Sequence, residues 1–527
     1  NFSQVNTVLE SYLNYAALLN AVPGNIDVTA GYSYSQSHAE YPWYLASGLS
    51  TDLLGGSGVT SARTVQNSQD IQESKLISLF GRVSYNLSDR YLAAVSLRRD
   101  KSSRFGSGKA WGTFPAISLG WRLSQEPFMR GLTSVSDLKL RYSWARTGNQ
   151  AFANYVQYAA YQAGDAQTQV QFGDQFVSTI RPGAYNDQIA WEPTGATNIG
   201  LDFGFLNQRF SGSIDWYTKN TDDLIFTVPV AAGTNLSNFA TANIGSMRNR
   251  GIELSLSARV LQGGARGLSW TADFTAARNT NELVTINPIY GDSIALQRIL
   301  TGLVAGGVGT FVQVLEPGQP LNSFYVYEHI RDASGNPIYE DRQGLSNGVF
   351  TDSADGTINE QDLYVDLNGD NVINFSDRRT LHDPAPKWIL GHSSYLTYGN
   401  FDFSFTLRAY LGNYVYNNVA SNLGTYQELG RGSPYNLHAS VLETGFAAPQ
   451  YFSDYYVEDA SFLRMDNVTV GYSFRYRGRQ LRAFATVQNA FTLTGYSGVD
   501  PTAGLNGLDN NIYPRSRTFT SGLSVRF

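Results

Sequence analysis

Residues 401–411 read FDFSFTLRAYL, and apolar side chains alternate with polar ones along most of this stretch. Successive side chains of a β-strand point to opposite faces, so the pattern predicts a strand with one apolar and one polar face. The apolar set is Phe401, Phe403, Phe405, Leu407 and Leu411, and the polar set is Asp402, Ser404, Thr406 and Arg408.

About fifteen segments of the chain share this two-residue period. In residues 77–87, 199–205, 210–216 and 252–260, charged or hydroxyl side chains again occupy one face. The sequence therefore predicts an all-β protein, with strands centred near residues 12, 31, 82, 96, 118, 142, 201, 214, 253, 272, 392, 406, 468, 486 and 521.

The connections between these strands separate two interpretations of the polar face. In a soluble sandwich that face is the wet outside, whereas in a membrane barrel it lines an aqueous lumen and the apolar face meets lipid. Short connections alternate with long ones, and the long ones lie near residues 39–74, 103–111, 148–195, 220–245, 280–386, 413–460 and 493–514. Outer-membrane barrels have short periplasmic turns and long outer loops. The chain is therefore predicted to form a transmembrane, antiparallel outer-membrane β-barrel with long extracellular loops.

Composition agrees with this prediction and excludes other classes. Aromatic residues make up 13% of the 527 residues and charged residues 16%, which is below the roughly 25% charged residues of soluble domains. The absence of cysteine removes disulfides and thiolate metal sites. The net charge of −6, without a basic block, argues against nucleic acid as a partner. No apolar run reaches the roughly 18 residues of a spanning helix.

The last predicted strand fixes the direction of the others. Phe519, Leu523, Val525 and Phe527 alternate with polar residues, and a final strand of this kind runs down to the periplasm. Counting back through the alternating connections gives a first strand that also runs down. Bacterial barrels of one chain have an even number of strands. We therefore expect further strands before Asn1.

Several segments, in their order along the chain, resemble the SusC/RagA family of TonB-dependent outer-membrane transporters. They are residues 102–129 (SSRFGSGKAWGTFPAISLGWRLSQEPFM), 138–150 (LKLRYSWARTGNQ), 220–226 (NTDDLIF), 243–256 (NIGSMRNRGIELSL), 317–327 (PGQPLNSFYVY), 456–474 (YVEDASFLRMDNVTVGYSF) and 511–527.

This resemblance implies a barrel of about 22 strands, of which residues 1–527 would be the C-terminal portion. It also implies an N-terminal plug, a SusD-like surface lipoprotein, and energy from a TonB–ExbB–ExbD complex that acts through the N-terminal region. The plug and the TonB-interacting segment are not found in this sequence. The implied location is the outer membrane of a Gram-negative bacterium.

Residues 366–377, DLNGDNVINFSD, have the spacing of a calcium loop within the long connection at residues 280–386. Calcium takes six to eight oxygen ligands, and the candidate ligands are Asp366, Asn368, Asp370, the carbonyl of Val372, Asn374 and Asp377. Asn371 replaces the usual glycine of such loops and tolerates the left-handed backbone of the turn. The expected role is structural. The alternative is an acidic turn that satisfies its own backbone without metal. A weaker echo of the motif occupies residues 351–362.

The outer connections are rich in aromatic residues, whose flat faces stack on sugar rings or on apolar peptide side chains. Such residues also form interfacial belts or pack against partner proteins. The candidates for substrate contact are Trp43, Tyr44, Tyr155, Tyr158 and Tyr161.

The sequence favours an importer of oligomeric nutrients, either glycan or peptide, over an enzyme. The five histidines lack zinc spacing, and no G-x-S-x-G elbow or phosphate loop is convincing. The runner-up is a TonB-dependent receptor for siderophores or vitamins. A barrel that only anchors a surface assembly and an open porin also stay open.

Overall fold

A computed structural model describes residues 2–19, 24–163, 169–229, 239–264, 267–286, 298–307, 309–339, 360–430, 436–504 and 506–526. The described strands are β1 (Ser3–Leu19), β2 (Gly24–Ser47), β3 (Thr64–Leu87), β4 (Tyr91–Ser102), β5 (Trp111–Arg122), β6 (Val135–Asn149), β7 (Tyr161–Ala163), β8 (Gln169–Phe172), β9 (Gln175–Ser178), β10 (Ile180–Pro182), β11 (Glu192–Phe205), β12 (Phe210–Pro229), β13 (Phe239–Leu261), β14 (Leu268–Ile286), β15 (Ile299–Leu303), β16 (Phe311–Leu315), β17 (Ser323–Tyr327), β18 (Arg378–Leu381), β19 (Trp388–Tyr398), β20 (Phe401–Leu411), β21 (Tyr414–Asn417), β22 (Val457–Asp459), β23 (Phe462–Tyr476), β24 (Arg479–Thr494), β25 (Leu508–Asp509) and β26 (Thr518–Arg526).

The helices of the described residues are short. They are α1 (Glu360–Leu363), α2 (Asn418–Leu423) and α3 (Val441–Thr444), with 3₁₀ turns at residues 52–61, 123–125, 127–129, 375–377, 426–430 and 454–456. In the described ranges, none of the helices has the length and apolar character needed to cross a bilayer.

One antiparallel sheet holds fifteen of the strands, in the order β1-β2-β3-β4-β5-β6-β11-β12-β13-β14-β19-β20-β23-β24-β26. Each of the fifteen predicted strand centres lies inside one of these strands. The prediction of an all-β chain with about fifteen strands is confirmed. Sequence neighbours pair throughout the sheet, apart from the small strands inserted between them.

Two predicted loops are wrong in their extent. Residues 39–47 and 64–74, expected to be loop, continue β2 and β3 and pair as far as Ser47 opposite Thr64. β12 likewise continues to Pro229 and β13 begins at Phe239, inside the loop expected at residues 220–245. These extensions lack strict apolar alternation, since one of them reads QNSQD at residues 66–70. In these extensions the backbone hydrogen bonds of the paired strands continue although neither face of the strands is apolar.

The chain divides into two compact units, the first of which comprises residues 1–125, 141–197 and 219–246. Its strands β1 to β5 are joined as successive antiparallel hairpins. In the three-residue connection between β3 and β4, Ser88 and Asp89 have positive φ, as the central residues of a type I′ turn do, and the N–H of Arg90 donates to the carbonyl of Leu87 at 3.0 Å. A small core around Phe105, Ile189 and Trp191 packs above these strands.

The second unit comprises residues 126–140, 198–218 and 247–527. Here β14, β19, β20, β23, β24 and β26 pair in that order. Turns at Gly399 and at Arg477 and Gly478, all with positive φ, close the short connections. The long connections of this unit hold two further sheets, β15-β16-β17-β18 and β22-β21-β25. The predicted loop at residues 280–386 is therefore partly folded into strands.

Candidate functional site

Charged side chains line one face of β20, β23 and β24, which we call the polar face. Arg482 donates from Nε to Asp402 Oδ1 at 2.8 Å, and Arg408 donates from Nη2 to Asp466 Oδ1 at 2.9 Å. Between these ion pairs, the hydroxyls of Thr469 and Thr486 share a hydrogen bond of 2.8 Å. A face of paired charges and hydroxyls suits contact with water and polar solutes.

The opposite face of the same strands is apolar and exposed. Phe405 lies opposite Val468, which in turn lies opposite Val487. Phe401 of β20 is 56% exposed and Val470 of β23 is 48% exposed. Soluble monomers rarely expose a continuous apolar surface of this kind, whereas a transmembrane strand presents it to lipid.

The long connections of the second unit fold together into a layer that we call the loop cap. It comprises the described residues of 299–339, 360–386, 412–461 and 495–516. Its core draws on all four segments and consists of Val304, Val312, Phe324, Val326, Tyr327, Leu363, Tyr364, Ile373, Tyr416, Ala420, Phe446, Tyr456 and Leu508. Burying large aromatic side chains stabilises such a layer by about 1.5–3 kcal/mol for each side chain.

Buried amides join the segments of the loop cap. Asn417 Nδ2 donates to Glu458 Oε1 at 2.9 Å, and Asn418 Nδ2 donates to Asn510 Oδ1 at 2.8 Å. Gln313, which is fully buried, donates to the carbonyl of Asn506 at 2.6 Å. Because buried polar groups are costly unless they are paired, these contacts hold residues 299–339, 412–461 and 495–516 of the loop cap in one arrangement.

His329 and Asp454 form a buried hydrogen bond inside the loop cap. His329 Nδ1 lies 2.8 Å from Asp454 Oδ1, and Arg331 Nη2 lies 2.9 Å from Asp454 Oδ2. Burial alone would raise the pKa of Asp454, but the hydrogen bond with His329 and the charge of Arg331 hold it below its ordinary value. Ser453 Oγ also meets Nδ1 of His329, at 3.1 Å. Ser453 and Asp454 thus contact the same nitrogen of the His329 ring. In a hydrolytic triad the serine and the carboxylate contact different ring nitrogens of the histidine.

The predicted calcium loop is a compact turn in which carboxylates accept backbone hydrogen bonds. Asp366, nearly buried, accepts from the N–H groups of Gly369 at 2.7 Å and Asn371 at 2.8 Å. Asp377 accepts from those of Leu367 at 3.0 Å and Asn374 at 2.8 Å. Asn371 adopts a φ of 60°, the left-handed conformation that its position requires.

The fit of these residues to calcium is partial. Asp370 accepts from the N–H of Val372 and from the side chain of Asn368, so it too is engaged within the turn. Among the described residues, no group of three or more acidic or histidine side chains is arranged to hold a metal ion. Each carboxylate oxygen retains a second lone pair, so calcium stays a prediction. In the weaker echo, residues 351–359 lie outside the described residues, as does the terminal Phe527.

The aromatic candidates for substrate contact all belong to the first unit. Their exposed fractions run from 39% for Tyr155 to 73% for Tyr161. Trp43 and Tyr44 are not in a loop but are adjacent residues of β2, opposite Ser68 and Asn67 of β3. Adjacent strand residues point to opposite faces, so these two rings cannot form one stacking platform.

The three tyrosines occupy the segment after β6. The Tyr155 hydroxyl accepts a hydrogen bond of 2.8 Å from the N–H of Glu73 on β3, and the N–H of Tyr158 donates to the carbonyl of Tyr155 at 2.9 Å. Tyr161 begins β7, opposite Pro182 of β10. Tyr155 therefore anchors the segment, while Tyr158 and Tyr161 present free ring surface.

The contacts that hold the segment after β6 in place were not predicted from the sequence. Arg104 Nη1 donates to the carbonyls of Gln150 at 3.1 Å and Phe152 at 2.9 Å, and the Phe105 ring lies 4.5 Å from that of Trp191 between ring centroids. A Cβ added at Gly106 would overlap the backbone of Asp187. Residues 104–106, part of the stretch that resembles the SusC/RagA family, thus position residues 150–161, which we call the tyrosine segment.

The family model described as "TonB dependent receptor-like, beta-barrel" matches residues 2–297 of the chain. The chain belongs to this family of TonB-dependent receptor β-barrels. The predicted fold class and the predicted location, the outer membrane of a Gram-negative bacterium, are thereby confirmed.

Curated relatives of this TonB-dependent receptor barrel confirm the resemblance to SusC/RagA proteins. It is 38% identical over 464 residues to "TonB-dependent receptor SusC" of Bacteroides thetaiotaomicron, which covers 86% of this chain and 44% of the relative. It is 29% identical to "TonB-dependent receptor P3" of Formosa agariphila, over 99% of this chain and 52% of the relative. The chain thus spans about half the length of the curated relatives it matches.

A solved structure of the RagAB peptide transporter has the same fold. Its TM-score against this TonB-dependent receptor barrel is 0.77, at 22% sequence identity, over 99% of this chain and 56% of the solved one. The "open-open" state of the RagAB peptide importer gives a TM-score of 0.77 at 21% identity.

Proposed function

We propose that the protein containing this chain is a SusC-like TonB-dependent importer of oligomeric nutrients. The observation that carries the proposal is the two-faced sheet of the second unit, with an ion-paired polar face behind an exposed apolar one. Lipid would cover the apolar face, and substrate would pass along the polar face. Identity of 38% to SusC over most of the chain supports the same role.

The proposed partner outside the cell is a SusD-like surface lipoprotein. Three apolar side chains of the loop cap favour such a contact, since Leu442 is 83% exposed, Leu429 68% and Tyr426 47%. The identity of 38% to SusC over 86% of the chain supports a partner of this kind.

The proposed energy source is the TonB–ExbB–ExbD complex, which would act through the N-terminal region of the whole protein. The substrate would be a glycan or a peptide. The proposal gives the chain no catalytic step. Ser453 and Asp454 both contact the same ring nitrogen of His329, Nδ1, and all three residues are buried inside the loop cap. A structural calcium ion at Asp366 and Asp377 is part of the proposal.

Uptake by whole cells tests this function. A strain lacking the gene, with and without the full-length gene restored, is given labelled oligosaccharides and labelled peptides in separate assays. The expected result is uptake of one class only, lost without the gene and lost when a protonophore collapses the proton gradient.

Three other outcomes of the uptake assay would each indicate a different function. Gene-dependent uptake that survives the protonophore indicates an open porin. Gene-dependent uptake of a ferric siderophore or a vitamin, without that of oligomers, indicates the runner-up receptor. No gene-dependent uptake of any compound indicates a barrel that anchors a surface assembly.

A further inference from the structure

A cavity of about 290 Å³ lies where β24 and the segment before β26 separate, beyond the last paired residues Gln488 and Thr518. Phe491 and Val499 contribute apolar surface to its wall. Its wall also includes Pro501, Pro514, Asp500 and the three arginines Arg464, Arg515 and Arg517. The cavity lies entirely within the second unit.

Arg464 is the buried charge of this cavity, with an exposed fraction of 2%. Its Nε donates to Thr492 Oγ1 at 2.9 Å, and its Nη2 donates to Asp500 Oδ1 at 2.8 Å. Its third nitrogen, Nη1, is also buried and has no hydrogen-bond partner within the described part of the chain. An unsatisfied buried donor on a charged group is costly, and an oxyanion is the partner that a guanidinium binds most strongly.

Asp500 does not cancel the positive charge of the site. Its Oδ1 accepts from Arg464 and from the N–H of Thr502 at 2.8 Å, and its Oδ2 accepts from Arg515 Nε at 2.9 Å. Burial would raise the pKa of Asp500, but hydrogen bonds from Thr502 and Arg464 lower it, so the carboxylate stays ionised. Arg517 is exposed and makes no ion pair with any residue that the structure describes. Three arginines against one aspartate leave a net charge of +2.

The strand register places the side chain of Arg464 on the polar face. Arg464 lies directly opposite Arg408 on β20 and opposite Thr492 on β24, and paired residues of neighbouring strands share a face. Leu463 and Leu493, which are opposite each other on the other face, are exposed apolar residues. The buried guanidinium therefore belongs to the face assigned to substrate, and the lipid headgroup is the less favoured ligand.

We propose that this cavity binds a carboxylate group carried on a compact residue of the imported oligomer, either a uronate sugar or the C-terminal residue of a peptide. Arg464 Nη1 and Arg517 would hold the carboxylate. Val499 and the two prolines would contact the apolar part of the residue. The inference rests on the proposed function for the origin of the ligand, but its test measures binding and not transport.

The test is calorimetric titration of the purified full-length protein in detergent at low salt. Two probe pairs each replace a carboxylate by a neutral polar group, namely glucuronate against glucose, and trialanine against trialanine amide. The expected result is that one carboxylate probe binds at least tenfold more tightly than its neutral partner. Which pair shows this preference identifies the source of the carboxylate.

Variants then assign the binding to the cavity. Arg517→Gln removes an exposed charge that no fold contact uses, and we expect it to weaken binding threefold to tenfold, an effect that salt should reduce. Arg464→Lys keeps the charge but not the planar donor set, and should abolish the preference. Arg475→Gln changes an exposed arginine at the other end of β23, and should leave binding unchanged.

Equal binding of charged and neutral probes by the native protein would overturn the proposal, as would equal weakening by Arg475→Gln and Arg517→Gln. Inorganic phosphate or lipid A binding in place of both carboxylates would overturn it too, in favour of a phosphate site. If Arg464→Lys does not fold, the Arg517→Gln comparison still decides. Loss of the preference with intact oligomer uptake rejects this site alone, whereas failed uptake with an intact preference rejects only the importer.

Discussion

Arg482 on β24 and Asp402 on β20 form a two-pronged ion pair that crosses the intervening strand β23. Nε donates to Oδ1 at 2.8 Å, and Nη2 donates to Oδ2. The pair passes over Gly471 of β23, where an added Cβ would collide with Asp402 Oδ1 and Arg482 Nη2. The absence of a side chain at Gly471 is therefore what lets two non-adjacent strands share a salt bridge.

The first prediction concerns this glycine. Gly471→Val should displace the pair and lower the free energy of unfolding by about 1–3 kcal/mol, the range for a lost charge-assisted hydrogen bond. The measurement is the temperature at which the full-length protein loses its fast-migrating folded band in gel electrophoresis. Gly195→Val is the matched control, because nothing lies within 4 Å of a Cβ added there. Equal losses for both variants would mean that strand glycines matter here only through backbone freedom.

The strands could be predicted from the sequence, and the reason is physical. Each of the fifteen has one face of apolar side chains, and β20 with Phe401, Phe403 and Phe405 is typical. Where neither face is apolar, as in residues 64–70 of β3, the signal vanishes although the backbone pairing continues. The number of strands was therefore predicted correctly, whereas the lengths of the long strands β2 and β3 were predicted wrongly.

The loop cap and the Arg464 cavity could not be predicted. The core of the cap joins Tyr327, Tyr416 and Leu508, which lie far apart in sequence and carry no common period. Arg464 and Arg408 are indistinguishable in the alternating pattern of their strands. Only Arg464 is fully buried, because Asp500 from a distant connection covers it. Contacts between remote loops decide both features.

The second prediction concerns the aromatic candidates. Tyr158→Ala and Tyr161→Ala should each weaken binding of the imported oligomer by about twofold to tenfold, the effect of losing an aromatic contact worth about 0.5–1.5 kcal/mol. Titration of the full-length protein with the oligomer found in the uptake assay is the measurement. Tyr476→Ala is the control, since this tyrosine is 58% exposed, close to the 61% of Tyr158, but lies at the turn between β23 and β24. Unchanged affinity in both variants would remove the tyrosine segment from the binding site.

The third prediction is a pH dependence of the loop cap. The pKa of Asp454 is lowered in the folded state from its ordinary value of 3.8. A depressed carboxylate pKa contributes stability that is fully present above the unfolded value and is lost as the pH falls through the folded value. We therefore expect protection of the cap against acid-stable proteases to fall below pH 3.8. Asp454→Asn should be less protected at neutral pH and should show a flatter decline. An identical decline in both proteins would assign the acid sensitivity to other groups.

The fourth prediction separates a calcium site from a self-satisfied turn at residues 366–377. Calcium sites of extracellular modules have dissociation constants near 10⁻⁴–10⁻³ M, so about 10 mM calcium should stabilise the full-length protein by roughly 1.4–2.7 kcal/mol. Thermal unfolding with calcium, with magnesium and with a chelator is the measurement, and Asp366→Asn and Asp377→Asn should each abolish the calcium effect. Asp332→Asn is the matched control, because Asp332 caps a neighbouring turn by accepting the N–H groups of Ser334 and Asn336, both at 2.8 Å. If Asp366→Asn lowers stability equally with and without calcium, as Asp332→Asn should, the carboxylates serve the backbone alone and the metal assignment fails.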